Sequence, residues 1–255
     1  MIPPWRDVRA TLRGGALGVA TAGLTGGMIV EERLRGETPA RRDAWLRRWA
    51  TATLKSLGAR VIVAPGSWSG ERAAPPAGGR LVVMNHRSIA DIAVLLWRFG
   101  GHILAKREMA SWPVVGPVAT RAGTLYVDRS NPTAGAAAIR AVSDVLARGE
   151  TVAVFPEGTT FKGDEVRPFQ PGAFMAITRT GGEVVPVGLA YADGDAEYFD
   201  EPFSAHARRL LALPEVRVAI AVGEPFAVGE QNLRAVNRRA QDAVQALTRR
   251  ARAAL

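Results

Sequence analysis

Residues 81–91 read Leu-Val-Val-Met-Asn-His-Arg-Ser-Ile-Ala-Asp. The first four residues are apolar and favour a buried strand, whereas the apolar spacing of residues 89–99 favours a helix. His86 then lies in the turn between strand and helix, and Asp91 lies in the first helical turn. This order is typical of a βα unit in a parallel sheet, where loops at the strand ends carry the functional side chains.

The same alternation continues through the rest of the chain. Strand-like runs occupy residues 81–84, 102–105, 123–127, 151–155, 184–190 and 216–222. Helical patterns occupy residues 89–99, 133–148, 172–180 and 231–255. The predicted fold class is therefore α/β, with a mainly parallel sheet flanked by helices.

The composition suits one such domain with a small appendage. The chain has 255 residues, of which 47% are hydrophobic and 22% are charged, which is enough for one continuous core but not for two large domains. It contains no cysteine, and this excludes disulfides, thiolate metal sites and a cysteine nucleophile.

The net charge of +9 is concentrated at the two ends of the chain. Residues 1–60 carry eleven basic and five acidic side chains, and residues 232–255 carry six basic side chains and one acidic side chain. Basic terminal helices are expected to be attracted to an anionic lipid surface. Nucleic acid is the alternative partner of a basic protein, but the sequence has no zinc-finger or ribonucleoprotein motif, so we expect a membrane surface and no nucleic acid.

The N-terminal 60 residues are predicted to form a helical, membrane-associating region, followed by an α/β domain over residues 61–255. Seventeen uncharged residues lie between Arg13 and Glu31, but they include six glycines and span only about 26 Å of helix against a hydrocarbon core of about 30 Å. A shallow or re-entrant helix is expected rather than a firm span. No signal-peptide cleavage site follows.

Residues 39–57 place Trp45 and Trp49 on one side of an amphipathic helix and arginines on the other. Tryptophan and arginine suit the boundary between water and lipid. Simple packing of the apolar side on the α/β domain is an equally open interpretation. Residues 64–80, rich in proline and glycine, are predicted to form a loop.

His86 is the best candidate for a chemical base among the three histidines. Imidazole takes and returns a proton near neutral pH, and a carboxylate such as Asp91 on its other nitrogen fixes the tautomer and raises basicity. A structural interpretation is also open, in which Ser88 and Asp91 form a capping box at the start of the helix.

Residues 151–160 are predicted to form a buried strand that stops at Pro156 and then presents a carboxylate, a glycine and two threonines. Gly158 would let backbone amides approach a substrate closely. An ordinary turn is the alternative, but it leaves Glu157 unexplained.

Two other segments also lie at predicted strand ends. Residues 123–129 end in Arg129, which either binds a phosphate by paired hydrogen bonds or simply pairs with Asp128. Residues 184–187, Val-Val-Pro-Val, form a strand with a proline, which indicates an edge strand or a bulge.

Four of these segments, in this order, resemble the glycerolipid acyltransferase family that includes the lysophosphatidic acid acyltransferases. Residues 85–91 resemble its N-H-x-S-x-x-D block, residues 123–129 its second block, residues 155–159 its F-P-E-G-T block and residues 185–187 its V-P-V block. The resemblance covers about residues 80–190, nearly half of the chain. It implies transfer of a fatty acyl group from an acyl thioester to the hydroxyl of a lysolipid.

The resemblance also implies roles for the matching residues. His86 is the general base that removes the proton of the acceptor hydroxyl, and Asp91 orients its imidazole. Backbone amides around Gly158 form the oxyanion site. The residues implied in binding of the acceptor are Lys106, Arg129, Glu157, Gly158 and Thr159. No metal or cofactor is implied, because the acyl donor, carried on coenzyme A or on acyl carrier protein, is itself a substrate.

Thr160 departs from the family pattern, since relatives that act on lysophosphatidic acid usually have arginine after F-P-E-G-T. The first acceptor implied is 1-acylglycerol-3-phosphate, which would give phosphatidic acid. Loss of a cation beside the acceptor makes another lysolipid, such as lyso-ornithine lipid, the alternative, unless Lys106 or Lys162 compensates.

Two other classes of protein fit the sequence less well. A serine hydrolase needs a G-x-S-x-G elbow, and the nearest sequence, residues 66–70, has Trp68 in the central position. A non-catalytic membrane-binding module would explain the basic ends but not the placement of His86, Asp91 and Glu157 at strand ends. We therefore expect an enzyme on the cytoplasmic face of the inner or plasma membrane.

Overall fold

A sheet of eight strands lies between two layers of helices. The computed structural model describes residues 4–70, 72–111, 115–128, 132–198, 200–229 and 231–255. Within these ranges the strands are β1 (Ala59–Val63), β2 (Arg80–Met84), β3 (His102–Lys106), β4 (Leu125–Val127), β5 (Thr151–Val154), β6 (Glu183–Tyr191), β7 (Val216–Val222) and β8 (Phe226–Ala227). The α-helices are α1 (Pro4–Arg35), α2 (Pro39–Ser56), α3 (Ala90–Arg98), α4 (Val115–Arg121), α5 (Pro132–Ala147), α6 (Gly172–Thr180), α7 (Phe203–Ala212) and α8 (Leu233–Ala253).

The strand order is β1-β7-β6-β2-β5-β3-β4, and β8 pairs with β6. All neighbours run parallel except β6 with β7 and β6 with β8. The prediction of a mainly parallel sheet is confirmed. The carboxyl ends of β6, β2, β5, β3 and β4 therefore meet at one edge, where a site is expected in an open α/β sheet.

The alternation of side chains along β2 divides the core into two layers. Val82 and Met84 pack in a cluster with α2, α3 and α7, whereas Leu81 and Val83 pack in a cluster with α5, α6 and α8. All five residues of β2 are buried, which accounts for a continuous apolar run instead of a polar alternation.

The V-P-V strand is not at an edge, so of the two sequence expectations for Pro186 the edge position is wrong. Strand β6 lies between β2 and β7 in the middle of the sheet. Pro186 is opposite the point where β7 has ended, and its carbonyl accepts from the Gly223 amide at 2.9 Å. Pairing with β8 resumes only at Val184, so the missing N–H of Pro186 falls in the gap between two partner strands.

The N-terminal region is two long helices packed on the sheet. The uncharged stretch belongs to one continuous helix, α1, and none of the described helices is long and apolar enough to cross a membrane. The Trp45 indole donates to the Leu24 carbonyl at 2.7 Å, and the Trp49 indole donates to the Thr21 hydroxyl at 3.1 Å. The tryptophan side of α2 is thus used for packing, as the second interpretation of residues 39–57 held.

The C-terminal helix α8 lies on the other face of the sheet. Gly188 in β6 permits a close approach, because a Cβ there would meet the Leu247 backbone of α8 at 2.1 Å. Val236 and Val244 of α8 pack in the cluster formed by α5 and α6, whereas Met28 of α1 packs in the opposite cluster. The two basic ends of the chain therefore do not form one surface.

Candidate active site

The turn between β2 and α3 brings the predicted base and carboxylate together. His86 Nδ1 lies 2.9 Å from Asp91 Oδ2, and Asp91 is fully buried. The turn is fixed to the sheet by Asn85, whose side chain both donates to the Leu189 carbonyl and accepts from the Leu189 amide. The His86–Asp91 pair is therefore held on a rigid support at the carboxyl edge of the sheet.

Asp91 is held by three further donors. Its Oδ2 accepts from the backbone amides of Arg87 and Ser88 at 2.6 and 2.9 Å, and its Oδ1 accepts from the Tyr191 hydroxyl at 2.6 Å. Burial, and next the Asp91 charge, raise the pKa of Tyr191 well above its ordinary value, so the phenol remains a donor. Asp91 thus holds the backbone of the turn and binds His86 at once, whereas Ile89 at the N-cap of α3 has no side-chain cap bond.

The His86 ring presents its other nitrogen, Nε2, for proton transfer. The imidazole stacks on the Phe155 ring, with centroids 3.9 Å apart, and 17% of the side chain is exposed. The Phe161 amide donates to the His86 carbonyl at 3.0 Å, which joins the loop after β5 to the loop after β2. The ring is thus fixed on one face and partly open to solvent.

Glu157 is turned inward, although it was predicted to bind the acceptor. Its Oε2 accepts from the His86 amide at 2.7 Å and from the buried Arg87 guanidinium at 2.8 Å, while its Oε1 accepts from the Arg167 amide at 2.8 Å. Oε2 thus joins the loop after β5 to the loop after β2, and Oε1 holds the loop after β5 itself. A direct contact of Glu157 with the acceptor stays a prediction.

Gly158 adopts a φ of 87°, which a residue with a side chain rarely adopts. Its amide donates to the Phe155 carbonyl at 3.1 Å and closes the turn after β5. An oxyanion site at this loop stays a prediction.

A cavity of about 680 Å³ opens beside the His86–Asp91 pair, and we name it the polar cavity for its charged side chains, although most of its lining is apolar. Lys106 at the end of β3, Asp128 after β4, and Glu157, Gly158 and Thr159 after β5 line it. Four of the five predicted binding residues, Lys106 among them, are thereby brought to one cavity. Arg129 lies outside the described residues.

A second cavity, of about 420 Å³, is almost wholly apolar. Its walls come from α1, α2, α3, β3 and α7, and they include Trp45, Trp49, Ile89 and Leu211. Phe155, stacked on His86, lines the polar cavity, and Ile89, three residues beyond His86, lines the apolar one. His86 is thus adjacent to both cavities.

Tyr191 and Arg87 were not singled out from the sequence. Tyr191 ends β6, and a polar aromatic residue closing an apolar strand beside the histidine turn was the available signal. Arg87 is hidden among exposed arginines in the sequence, and only its burial, with 1% exposure, distinguishes it. Its guanidinium donates to the Gly163 and Glu165 carbonyls as well as to Glu157.

The fold and the site define a class of protein: a mainly parallel α/β sheet with a histidine–aspartate pair in the turn after a central strand. The family model described as Acyltransferase matches residues 67–190. The crystal structure of a 1-acyl-sn-glycerophosphate acyltransferase from Thermotoga maritima superposes with a TM-score of 0.75 at 21% identity, over 97% of this chain and 98% of that one. This likeness concerns the fold.

Relatives in sequence identify the family. A lyso-ornithine lipid O-acyltransferase from Pseudomonas aeruginosa is 33% identical, over 88% of this chain and 86% of its own length. A 1-acyl-sn-glycerol-3-phosphate acyltransferase from Neisseria gonorrhoeae is 36% identical, but the match spans only 45% of each chain, slightly less than half of that relative. The chain belongs to the glycerolipid acyltransferase family, and the resemblance inferred from its four sequence blocks is confirmed.

Proposed function

We propose that the protein is an O-acyltransferase that moves a fatty acyl group from an acyl thioester to the hydroxyl of a lysolipid. The observation that carries this proposal is the His86–Asp91 pair, 2.9 Å apart and adjacent to one polar and one apolar cavity. A base between two such cavities suits a substrate with a polar headgroup and a donor with a long apolar chain.

In the proposed reaction, His86 Nε2 removes the proton of the acceptor hydroxyl while Asp91 stabilises the imidazolium that forms. The oxygen attacks the thioester carbonyl, and the tetrahedral oxyanion collapses with loss of the thiolate. His86 then returns its proton to the thiolate sulfur. The step forms an oxygen ester, breaks the thioester and regenerates neutral His86, without a metal or a cofactor.

The apolar cavity is the proposed site of the acyl chain. Its lining is provided by the inner side of α1 and α2, with Gly14 and Gly18 of α1 leaving room where larger side chains would fill it. The carrier of the chain, coenzyme A or acyl carrier protein, would remain outside. Either carrier is consistent with this arrangement.

The polar cavity is the proposed site of the acceptor headgroup. Among its described lining residues Lys106 is the single cation, and Glu108 and Asp128 bring two carboxylates in addition to the buried Glu157. A phosphomonoester dianion is repelled by carboxylates, whereas a headgroup with both an ammonium and a carboxylate pairs with both signs. Charge in the described part of the cavity therefore favours a zwitterionic acceptor.

Lyso-ornithine lipid is the acceptor we favour, and lysophosphatidic acid is the second candidate. Three observations support this order: the mixed charge of the cavity, Thr160 in place of arginine, and the full-length match to a lyso-ornithine lipid O-acyltransferase. Lysophosphatidic acid retains support from Lys106 and from the match to the Neisseria relative over its shared half.

A direct competition of the two acceptors tests this proposal. Purified protein with an acyl thioester should acylate lyso-ornithine lipid at least as well as lysophosphatidic acid. Thr160→Arg should shift the preference toward the phosphate by about tenfold to a hundredfold, because one charge-assisted hydrogen bond contributes about 1.5–3 kcal/mol. Thr160→Gln is the matched uncharged control. A strong preference of the unaltered protein for lysophosphatidic acid, with no effect of Thr160→Arg, would contradict the favoured acceptor.

We also propose that the protein works on the cytoplasmic face of a membrane and binds it through α1. Six large apolar residues of α1 are exposed, namely Trp5, Val8, Leu12, Val19, Val30 and Leu34. At 3.6 residues per turn they fall within about 80° of one another around the helix. Such a stripe, on a helix without a spanning core, suits burial of one side in the lipid interface.

A further inference from the structure

A second buried histidine contacts the turn that holds His86 and Asp91. His206 on α7 has no exposed surface, and its Nε2 lies 3.0 Å from the Ser88 hydroxyl and 3.4 Å from the Ile89 amide nitrogen. Neither the sequence blocks of the family nor the proposed reaction uses this residue. It is 118 positions from Ser88 in the chain, so the contact exists only because α7 folds back over the start of α3.

The two ring nitrogens of His206 have different partners. Nδ1 lies 3.2 Å from Glu201 Oε1, which can only accept, and 2.9 Å from the Arg209 guanidinium, which can only donate. The Ser88 hydroxyl can donate or accept, so it bonds to Nε2 in either tautomer. The Arg209 guanidinium donates to the same Glu201 oxygen. Hydrogen bonding to Arg209, the largest cause, lowers the pKa of Glu201 and keeps it an ionised acceptor.

The environment also favours an uncharged His206 ring. Burial first, and the Arg209 cation second, lower the pKa of His206 below its ordinary value. The Tyr198 ring packs edge-on against the imidazole, with centroids 5.1 Å apart. A neutral ring whose Nε2 bonds to the Ser88 hydroxyl is therefore the stable state.

Two of the groups that His206 contacts also hold the catalytic pair. The Ser88 amide donates to Asp91 Oδ2, the oxygen that binds His86, and the Ile89 amide begins the helix that carries Asp91. Rotation of Ser88 or loosening of this first turn would move Asp91 Oδ2 relative to His86. A small displacement of a general base lowers the reaction rate strongly, because proton transfer depends on the alignment of the base with the reacting hydroxyl.

We infer that His206 is a positioning residue for acyl transfer, which acts through Ser88 and the Ile89 amide to hold the Asp91 carboxylate against His86. It does not touch a substrate. The role rests on the proposed acyl transfer, but it is independent of which lysolipid is the acceptor. It predicts that the hydrogen bond of His206 Nε2 to Ser88, and not only the bulk of the ring, is needed.

The test compares His206→Leu with His206→Gln in the full-length protein. Leucine fills similar space but makes no hydrogen bond, whereas the glutamine amide, which can both donate and accept, can take the place of Nε2. His206→Leu should lower kcat about tenfold or more with KM for donor and acceptor unchanged, and His206→Gln should restore most of kcat. Ser88→Ala should lower kcat to a similar extent, and the double variant should lose little more than either single one.

His102→Leu is the matched control. His102 is also buried, but it lies at the opposite edge of the sheet, where it contacts the Gly123 carbonyl and Glu150. The His102→Leu protein should lose thermal stability to an extent similar to His206→Leu. It should nevertheless keep the kcat of the unaltered protein. Equal kcat loss in His102→Leu, full kcat in His206→Leu, or strictly additive losses in the double variant would each overturn the inference.

A comparison of two acceptors separates this inference from the proposed function. The ratio of kcat between His206→Leu and the unaltered protein is measured with lyso-ornithine lipid and with lysophosphatidic acid. An equal ratio supports a role at the base, and a ratio that depends on the headgroup contradicts it by indicating an effect on acceptor binding. The result for which acceptor is preferred tests only the proposed function and not the role of His206. If His206→Leu does not fold, Ser88→Ala and His206→Gln decide the question with the same measurements.

Discussion

At the scale of single residues, the site is built from groups that each satisfy more than one partner. Asp91 accepts from His86, from two backbone amides and from Tyr191, so its charge is compensated although it is fully buried. Glu157 likewise satisfies the His86 amide and Arg87 together. Replacing either carboxylate should therefore disturb the position of His86 as well as the local charge.

Glu157→Gln should lower kcat and the melting temperature while leaving KM for the acceptor nearly unchanged, because Oε2 holds the His86 loop and Oε1 holds the loop after β5. Steady-state kinetics with varied acceptor, together with thermal unfolding, measure the two effects. Glu165→Gln is the control, since that carboxylate is exposed and pairs only with Arg167 at 3.4 Å. A rise in KM with kcat intact would instead show that Glu157 binds the acceptor directly.

The histidine and aspartate could be predicted from the sequence because a strand-to-helix turn fixes both within seven residues of one another. Arg87, Tyr191 and His206 could not, because their roles depend on contacts between distant parts of the chain. The contact between His206 and Ser88 needs α7 to lie over α3, and no local pattern of residues 203–212 indicates that placement.

At the scale of elements, strong periodic patterns predicted the central strands and helices to within about two residues. Short or mixed elements were missed, namely β1, β8, α4 and α7. The predicted boundary between residues 60 and 61 falls inside β1, which pairs with β7. A five-residue strand with a charged residue in it has too weak an alternation to stand out from a loop.

Helix α1 forms part of the wall of the apolar cavity, which leads to a prediction about acyl-chain length. Gly18 lines the cavity, and a Cβ there meets nothing within 4 Å. Gly18→Phe should fill part of the cavity and lower kcat/KM for long-chain thioesters about tenfold, as expected if two methylenes lose their burial at about 0.8 kcal/mol each. Short-chain donors should be affected little.

Gly26→Phe is the control for this change, since Gly26 is an exposed glycine of the same helix with nothing within 4 Å of its Cβ position and is absent from the cavity lining. A profile of kcat/KM against donor chain length distinguishes the two variants. An unchanged profile for Gly18→Phe, or the same change in both variants, would mean that the chain is bound elsewhere.

At the scale of the whole molecule, α1 has one side on α2 and α7 and the other side exposed, whereas α8 covers the opposite face of the sheet. Arg13 on the inner side of α1 joins this helix to the end of α7, because its guanidinium donates to the Leu213 carbonyl at 2.6 Å. Deletion of residues 1–60 would remove buried Trp45 and Leu46 and part of β1, so point changes on the exposed stripe are the cleaner test of attachment.

The double variant Leu12→Asp/Val19→Asp should bind anionic vesicles much less than the unaltered protein, because two exposed apolar residues are replaced by charges that anionic lipid repels. Co-sedimentation measures the bound fraction. Salt should weaken only part of the attachment, since charges are screened over about 8 Å at physiological ionic strength while apolar burial is not. Ala235→Asp/Ala246→Asp on α8 carries the same charge change and should bind normally. Equal binding by all three proteins would exclude α1 as the attachment surface.

The central claim is that His86, held by Asp91, removes the acceptor proton during acyl transfer. The most direct measurement is the turnover of purified protein and of His86→Ala with an acyl thioester and a lysolipid, with the melting temperature of each recorded. We predict that the unaltered protein forms the acylated lipid and that His86→Ala folds normally but is at least about 100-fold slower, since general-base catalysis contributes about 10²–10⁴-fold. A folded His86→Ala protein that keeps more than half of the turnover would contradict the account.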